Sequence, residues 1–502
     1  MTAILVAFAI FLLVKFFDAA SLFRGQEVLT AKEFLWASGS IDREVLAETA
    51  LNYSTYPAMA DLNGDGFVDV VFVDEDGKTT CINGASKKPL WVNRDFTANP
   101  TSAITLQDMN KDLLPDVILV SQDLRVHALN GRNGRNMLKS QTLGGPLVGA
   151  PVIDDLNGDG FQDFAIASEG GTIYIGFCGS KNTSLAVIES EEPVHSFLSS
   201  ADLTADGIAD LLVGTETGKV LIVDCTIPKI LGEINVSEEL SKASGALNTQ
   251  ADIRFPVALG ELDDDSTTDL IVTTEQGNAI ALSGSTLERL WWDETDSDLE
   301  GMESITPTVS VADFDGDRHA DVVATTRSGR ILVIAGKNLN KDDKSVLWES
   351  AVTQPEELIG PPAMIDLNND AIADLVIADR QGKVHIFDGF TGEILWQSAA
   401  QNNEVISPPL AGDLDNDRFL DILIRRSDGN FYRIASNAAI AQNTRFWGQL
   451  FGNSRHTSAF SGDQANQPPY GLLLIVCFLA VLGAVGVNLV PWMKRKNLSR
   501  AI

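Results

Sequence analysis

The chain has 502 residues, of which 69 are acidic and 37 basic, so its formal net charge at pH 7 is −32. A surface this acidic repels phosphate groups, which argues against nucleic acid as a partner. It also disfavours docking of the folded region on anionic lipid.

The first predicted element is an apolar run over residues 3–14, which Lys15 interrupts. A short apolar run at an N-terminus is typical of a secretory signal peptide, and the same run extended to Phe17 is typical of a retained membrane anchor. Residues 1–20 are predicted to be one or the other, and the missing basic n-region favours the anchor. Either alternative exports the residues that follow.

Residues 30–460 then repeat one unit eight times, at intervals of 47 to 59 residues. Each unit contains a short apolar run, a nine-residue acidic loop and further β-rich runs separated by Asp-Gly, Asn-Gly or similar turns. Four short strands per unit at this period predict a propeller blade. The chain is therefore predicted to be all-β, an eight-bladed β-propeller of four-stranded blades (A to D) whose acidic loop joins strands A and B.

A Leu-Trp pair recurs at the position of strand D, ending at Trp91, Trp291, Trp348 and Trp396. The same pair occurs far upstream at Trp36, whereas the eighth unit has no clear counterpart after its third strand. Residues 33–38 are therefore predicted to form the outer strand of the last blade and to close the ring, which removes exposed sheet edges. The tryptophans are interpreted as packing between blades.

Each acidic loop places oxygen-bearing side chains at positions 1, 3, 5 and 9. Calcium takes six to eight oxygen ligands, and the backbone carbonyl of position 7, for example that of Phe67 or Phe161, can add another. Up to eight Ca²⁺ ions are therefore predicted. In loop order the side-chain ligands are Asp61, Asn63, Asp65 and Asp69; Asp108, Asn110, Asp112 and Asp116; Asp155, Asn157, Asp159 and Asp163; Asp202, Thr204, Asp206 and Asp210; Glu261, Asp263, Asp265 and Asp269; Asp313, Asp315, Asp317 and Asp321; Asp366, Asn368, Asp370 and Asp374; and Asp413, Asp415, Asp417 and Asp421.

The alternative for any one copy is that Asp, Asn and Gly merely build a hairpin turn. Recurrence of the same four positions in eight copies favours calcium. Glycine eases the sharp turn at position 6 in three loops, at Gly66, Gly160 and Gly207. The loops with Leu113, Arg318 or Arg418 at that position are expected to bind more weakly.

The Asp-x-Asn-x-Asp-Gly-x-x-Asp loop between strands A and B resembles the FG-GAP/VCBS repeat of integrin-α-like propellers. Residues 392–396, Gly-Glu-Ile-Leu-Trp, are similar to the outer strand of bacterial PQQ-like propellers, and residues 447–457 to a closing segment of such propellers. The resemblance covers about residues 33–460 and implies the propeller fold and the calcium loops. Integrin-type propellers have seven blades, and this chain departs from them with eight repeats.

After a linker at residues 461–470, residues 471–492 form a nearly uncharged apolar run of the length that crosses a bilayer. Basic residues follow within 493–502, so by the positive-inside rule this tail is predicted to be cytoplasmic. A buried soluble helix is the alternative for the run. The chain is thus predicted to be a single- or double-pass protein of the cell (inner) membrane, with its propeller on the periplasmic or extracellular side.

Motifs for catalysis are missing from the sequence: it contains no Cys-x-x-Cys-His haem motif, no zinc spacing and no Gly-x-Ser-x-Gly. The predicted function is therefore a membrane-anchored, calcium-binding scaffold for a protein or glycan partner, in an envelope or membrane complex. The alternative is a quinone-dependent or carbohydrate-active propeller enzyme. Long D–A connections at 236–254 and 293–305 are predicted to bind the partner. The alternative is that they are surface loops whose extra length is tolerated and has no binding role.

Overall fold

Eight antiparallel β-sheets follow one another along the chain and share one topology, with the strands of each sheet in sequence order. The computed structural model describes residues 56–439 apart from residues 75, 101, 180–182, 245–250, 264, 266, 294–304, 327–328, 337–345, 353–357, 368–369, 371, 399–403, 418 and 428–430. Seven sheets have four strands, and the eighth has three within the described residues.

The strands of blades 1 to 4 are, in order, β1 Ala58–Ala60, β2 Asp69–Val73, β3 Thr79–Ile82, β4 Pro89–Asn93; β5 Thr105–Gln107, β6 Asp116–Val120, β7 Val126–Leu129, β8 Asn136–Lys139; β9 Leu147–Asp154, β10 Asp163–Ser168, β11 Thr172–Cys178, β12 Thr183–Glu189; and β13 Ser199–Ala201, β14 Asp210–Gly214, β15 Lys219–Asp224, β16 Lys229–Asn235.

Those of blades 5 to 8 are β17 Ala258–Gly260, β18 Asp269–Thr273, β19 Ala279–Leu282, β20 Arg289–Asp293; β21 Ile305–Ala312, β22 Asp321–Thr326, β23 Arg330–Ile334, β24 Val346–Ala351; β25 Ala363–Ile365, β26 Asp374–Ala378, β27 Val384–Phe387, β28 Ile394–Gln397; and β29 Leu410–Gly412, β30 Phe419–Arg425, β31 Phe431–Ala439.

Strand B is the centre of each blade's core. In blades 1 to 7 every one of its residues is buried, and its sequence is a continuous apolar run such as Val-Val-Phe-Val after Asp69. A strand covered on both faces needs apolar side chains at every position rather than at alternate ones. Strand D lies at the blade's outer edge and mixes exposed with buried residues, as in β4 and β16.

Blade 8 packs against blade 1, so the described chain returns on itself. One buried cluster joins Met59, Val70 and Phe72 of blade 1 to Leu423 and Phe431 of blade 8. The predicted all-β, eight-bladed propeller of four-stranded blades is therefore confirmed. The closing strand at 33–38 lies outside the described residues and stays a prediction.

Two of the recurring tryptophans tie neighbouring blades together. The indole Nε1 of Trp91 donates to the carbonyl oxygen of Gly131 in blade 2 at 2.6 Å, and that of Trp348 donates to Gly389 O in blade 7 at 2.8 Å. A Cβ on Gly134 would lie 2.5 Å from the Trp91 ring, so this glycine admits the indole. These contacts agree with the interpretation of the tryptophans as packing residues.

One helix, α1 (Val236–Ser244), follows the outer strand of blade 4 and was not predicted. The Asn235 side-chain oxygen accepts the Glu238 amide at 3.0 Å and so caps its first turn, while Val236 and Leu240 are buried. Within the described ranges no helix is both long and apolar enough to span a membrane. The predicted elements at 1–20, 461–470, 471–492 and 493–502 lie outside those ranges.

Candidate metal sites

The eight acidic loops, numbered loop 1 to loop 8 after their blades, all connect strand A to strand B. Position 9 is the first residue of strand B in blades 1 to 7 and lies within β30 in blade 8. Because the same two strands flank every loop, all eight loops emerge at the same end of their blades. The sequence repeat therefore places all eight acidic loops on one rim of the propeller.

Two hydrogen bonds recur in all eight loops and fix their carboxylates. The amide of position 2 donates to Oδ2 of the position 9 aspartate at 2.7–3.1 Å. The amide of position 7 donates to Oδ1 of the position 5 aspartate at 2.8–3.0 Å. Each of these carboxylates is therefore oriented by the backbone, which lowers the entropy cost of binding an ion.

Position 1 is held in a similar way in loops 1, 2, 3, 4, 7 and 8, where its Oδ1 accepts the amide of position 5 at 3.1–3.2 Å. In loop 1 the Asp61 carboxylate also accepts the amides of Gly64 at 2.7 Å and Gly66 at 2.9 Å. The chain therefore wraps around the first ligand.

Among the residues that the structure describes, three loops bring their carboxylates close enough together to hold a metal ion. One oxygen from each member of the sets Asp263/Asp265/Asp269, Asp313/Asp315/Asp321 and Asp413/Asp415/Asp421 lies within 4.8 Å of the others. These are the loops with aspartate at position 3. Oxygen-only ligand sets of this kind suit hard cations such as calcium.

The position 9 aspartate is buried in every loop. Loss of water around the carboxylate is the main cause that raises its pKa, to about 6 at Asp69, Asp116 and Asp269, and to about 7 at Asp163, Asp321 and Asp421. The pKa of Asp210 is also raised, and that of Asp374 is raised well above its usual value. A cation bound beside such a buried carboxylate would lower its pKa and favour the ionised form.

The backbone turns through the left-handed region at two loop positions. At position 6, φ is 84° for Gly66 but also 71° for Leu113 and 75° for Arg318, where a side chain makes this conformation costly. Position 4 is left-handed as well, for example at Lys111 and Asn416. The turn at position 6 was predicted from the sequence, and the turn at position 4 was not.

The structure thus places every predicted ligand in an A–B loop, except Asn368, which lies outside the described residues. Several residues that reach these ligands were not predicted from the sequence. The Asn83 side-chain amide donates to Asp65 at 2.7 Å and to Asp69 at 3.1 Å. Another is Arg433 on β31, whose guanidinium contacts Asp415 and Asp421 of loop 8. Its signal was visible in the aligned repeats, since the equivalent residue of every other blade is apolar.

No protein-family model and no curated protein matches this chain. Among solved structures, Sqt1 of Saccharomyces cerevisiae is similar with a TM-score of 0.52 and 12% identity, over 76% of this chain and 96% of that one. The C-terminal WD40 domain of Sif2 has a TM-score of 0.50 and 10% identity, over 76% and 97%. BamB from Moraxella catarrhalis has a TM-score of 0.47 and 14% identity, over 75% and 95%. The first two similarities support the propeller fold and, at this identity, the fold alone.

Proposed function

We propose that this chain is a calcium-stabilised propeller of the FG-GAP/VCBS type that serves as a binding scaffold. The observation that carries the proposal is the loop geometry, in which the same two amide-to-carboxylate hydrogen bonds recur in eight loops. Turn formation alone does not require a buried aspartate at position 9 of every loop, because a hairpin turn works equally well with exposed polar residues. A bound cation would offset the lost hydration of this buried carboxylate and its repulsion by the other carboxylates of the loop.

Calcium is favoured over magnesium as the ion. Magnesium demands near-ideal octahedral geometry and gives up its water reluctantly, whereas calcium accepts irregular sets of carboxylate, amide and carbonyl oxygens. The loops vary at position 3 among Asp, Asn and Thr, which a tolerant cation can accommodate. Loops of extracellular modules typically bind calcium at about 10⁻⁴–10⁻³ M, which fits the proposed location outside the cytoplasm.

Isothermal titration of the chelator-treated, full-length protein with calcium, and separately with magnesium, tests this assignment. Calcium should bind with several equivalents and raise the melting temperature, while magnesium at the same concentration should do so much more weakly. A protein that stays free of calcium at millimolar concentration would refute the proposal.

The partner is proposed to be a protein or a glycan, bound by the rim opposite the acidic loops. The D–A connections form that rim, and the longest is the one after β16, which begins with α1. The connection after β20 has 11 residues, close to the 12 residues of the connection after β28. Insertions on one face of a repeat array often build its binding surface. Shortening residues 245–250 and 294–304 should abolish partner capture from detergent-solubilised membranes without changing the calcium content. Capture that survives this change, but is lost when Asp65 and Asp159 are replaced by alanine, would place the partner on the acidic rim instead.

The proposal has two further parts. The chain is anchored in the membrane by residues 471–492, with or without residues 1–20, and its role is non-catalytic. Both rest on the sequence. Protease protection of membrane vesicles tests the topology, since the propeller should be digested only from its extracytoplasmic side. The absorption spectrum of the purified protein tests the role, because a bound quinone or haem would favour the enzyme alternative.

A further inference from the structure

Loops 6 and 8 carry the same four ligands but face different neighbours. Both have aspartate at positions 1, 3, 5 and 9, and both bring three carboxylates within 4.8 Å of one another. The carboxylates alone therefore do not distinguish the two loops. The difference lies on the third strand of the blade, at the residue twelve positions after position 9.

In every blade this residue pairs with the strand B residue two positions after position 9. Examples are Val333 with Val323 in blade 6 and Arg433 with Leu423 in blade 8. In the first seven blades it is apolar and buried. The seven residues are Cys81, Ala128, Ile175, Ile222, Ala281, Val333 and Ile386. An arginine in blade 8 thus takes a position that packs the core elsewhere.

Arg433 directs its guanidinium into loop 8. Its Nη1 lies 3.2 Å from Oδ2 of Asp421 and in closer contact with Oδ2 of Asp415. The side chain of Arg433 is only 9% exposed and that of Asp421 only 2%. Ion pairs removed from water in this way persist because separating them would leave a buried charge without compensation.

A second positive charge approaches loop 8 from blade 1. Lys87 Nζ donates to the backbone carbonyl of Leu414, at position 2 of the loop, at 3.0 Å. The corresponding residue of the blade that faces loop 6 is Gly392, which has the same left-handed conformation and no side chain. Loop 8 therefore has two cationic neighbours at places where loop 6 has a valine and a glycine.

We propose that loop 8 does not bind calcium, because Arg433 serves as its resident cation. The guanidinium occupies Oδ2 of Asp415 and Oδ2 of Asp421, at positions 3 and 9, and together with Lys87 it repels a divalent cation. Calcium, which takes six to eight oxygens, would have to displace it from both. The inference rests on the proposed function and limits it to at most seven ions. It also makes the contact between blades 8 and 1 independent of calcium.

The test counts bound calcium in the full-length protein by equilibrium dialysis at saturating calcium. Position 5 is the best target, because it is aspartate in all eight loops and neither Asp417 nor Asp317 is one of the carboxylates bound by Arg433. Asp317→Ala should lose one equivalent, while Asp417→Ala should lose none. Arg433→Val, which installs the residue found in blade 6, should gain one equivalent, and Asp417→Ala in that background should remove it again.

Arg330→Val is the matched control, since Arg330 pairs with Glu349 at the far end of blade 6 and its removal also deletes one positive charge. Its calcium count should equal that of the wild type. Arg433→Met, which keeps the side chain long, is the second variant if the valine variant does not fold. A loss of one equivalent in Asp417→Ala, or no gain in both Arg433 variants, would overturn the inference. If the wild type binds no calcium, the proposed function fails, and the inference is still decided by whether removal of Arg433 creates a site.

Discussion

Loops 6 and 8 show how one nine-residue pattern can have two electrostatic solutions. Loop 6 brings Asp313, Asp315 and Asp321 together, with buried Val333 on the strand behind them, so under the proposed function an ion from outside compensates their charge. Loop 8 brings the corresponding residues Asp413, Asp415 and Asp421 together beside the guanidinium of Arg433, which compensates part of their charge from within the chain. On this proposal, the capacity of a loop to bind metal depends on the strand behind it as well as on the loop.

The largest expected effect is the removal of calcium from the loops that resemble loop 6. One site at a hundredfold excess of calcium over its Kd contributes about 2.7 kcal/mol to the free energy of unfolding. Loss of several sites should lower the melting temperature by about 10 °C or more. Differential scanning calorimetry with and without chelator measures this effect, and an unchanged melt after confirmed loss of the metal would contradict it.

A smaller effect on stability distinguishes loop 6 from loop 8 directly. Asp421→Asn removes one of the two carboxylates that compensate buried Arg433, which should cost about 3 kcal/mol whether or not calcium is present. Asp321→Asn should cost about 2–3 kcal/mol only when calcium is present, because it removes an ion site. Chemical denaturation of both variants with and without calcium gives the four values. Equal calcium dependence of the two variants would erase the distinction between the loops.

The fold could be predicted from the sequence more completely than the metal sites. Eight loops at near-constant period, followed by apolar runs such as that after Asp69, predict the blades because each run must be covered on both faces. Arg433 was not predicted because it lies twelve residues after Asp421 in the sequence, and only the strand register brings the two side chains together. Helix α1 escaped because it is short, although Asn235 followed by Glu238 is a capping pattern.

The next effect is the pH dependence of stability, whose sign should differ with and without calcium. The pKa values of Asp163 and Asp321 are about 7 in the folded protein, above the usual value of 3.8, so the folded state binds the additional protons. Stability of the metal-free protein should therefore fall as the pH rises from about 4 to about 7. Buried His127, whose pKa is lowered to about 4, opposes this trend below pH 6.5, and carboxyl groups with lowered pKa values, such as Asp265 at about 2, oppose it below pH 4.

With calcium present the dependence should reverse. Calcium binds the ionised carboxylates, so protons compete with it and its affinity should fall as the pH drops below 7. Melting temperatures between pH 5 and pH 8, with and without calcium, should give two curves of opposite slope. Parallel curves would show that the position 9 aspartates do not bind the ion.

The smallest effect concerns the loop backbone, in a comparison of loop 2 with loop 1. Leu113 is 76% exposed and left-handed at position 6, where loop 1 has Gly66. Leu113→Gly should raise the free energy of unfolding by about 0.5 kcal/mol, because the relief of about 1–2 kcal/mol of strain exceeds the added chain entropy of glycine. Leu113→Ala keeps the strain and should change little in the same denaturation experiment. A destabilised glycine variant would contradict this account.

The most direct test of the calcium assignment is a crystal structure grown in calcium, with anomalous scattering recorded at a long wavelength. We predict an anomalous peak in loop 6, surrounded by oxygens of Asp313, Asp315, Asp317 and Asp321 at about 2.3–2.6 Å, and no peak in loop 8, where Arg433 remains on Asp415 and Asp421. Loops without any anomalous density would contradict the calcium assignment, and a peak in loop 8 would contradict the role of Arg433.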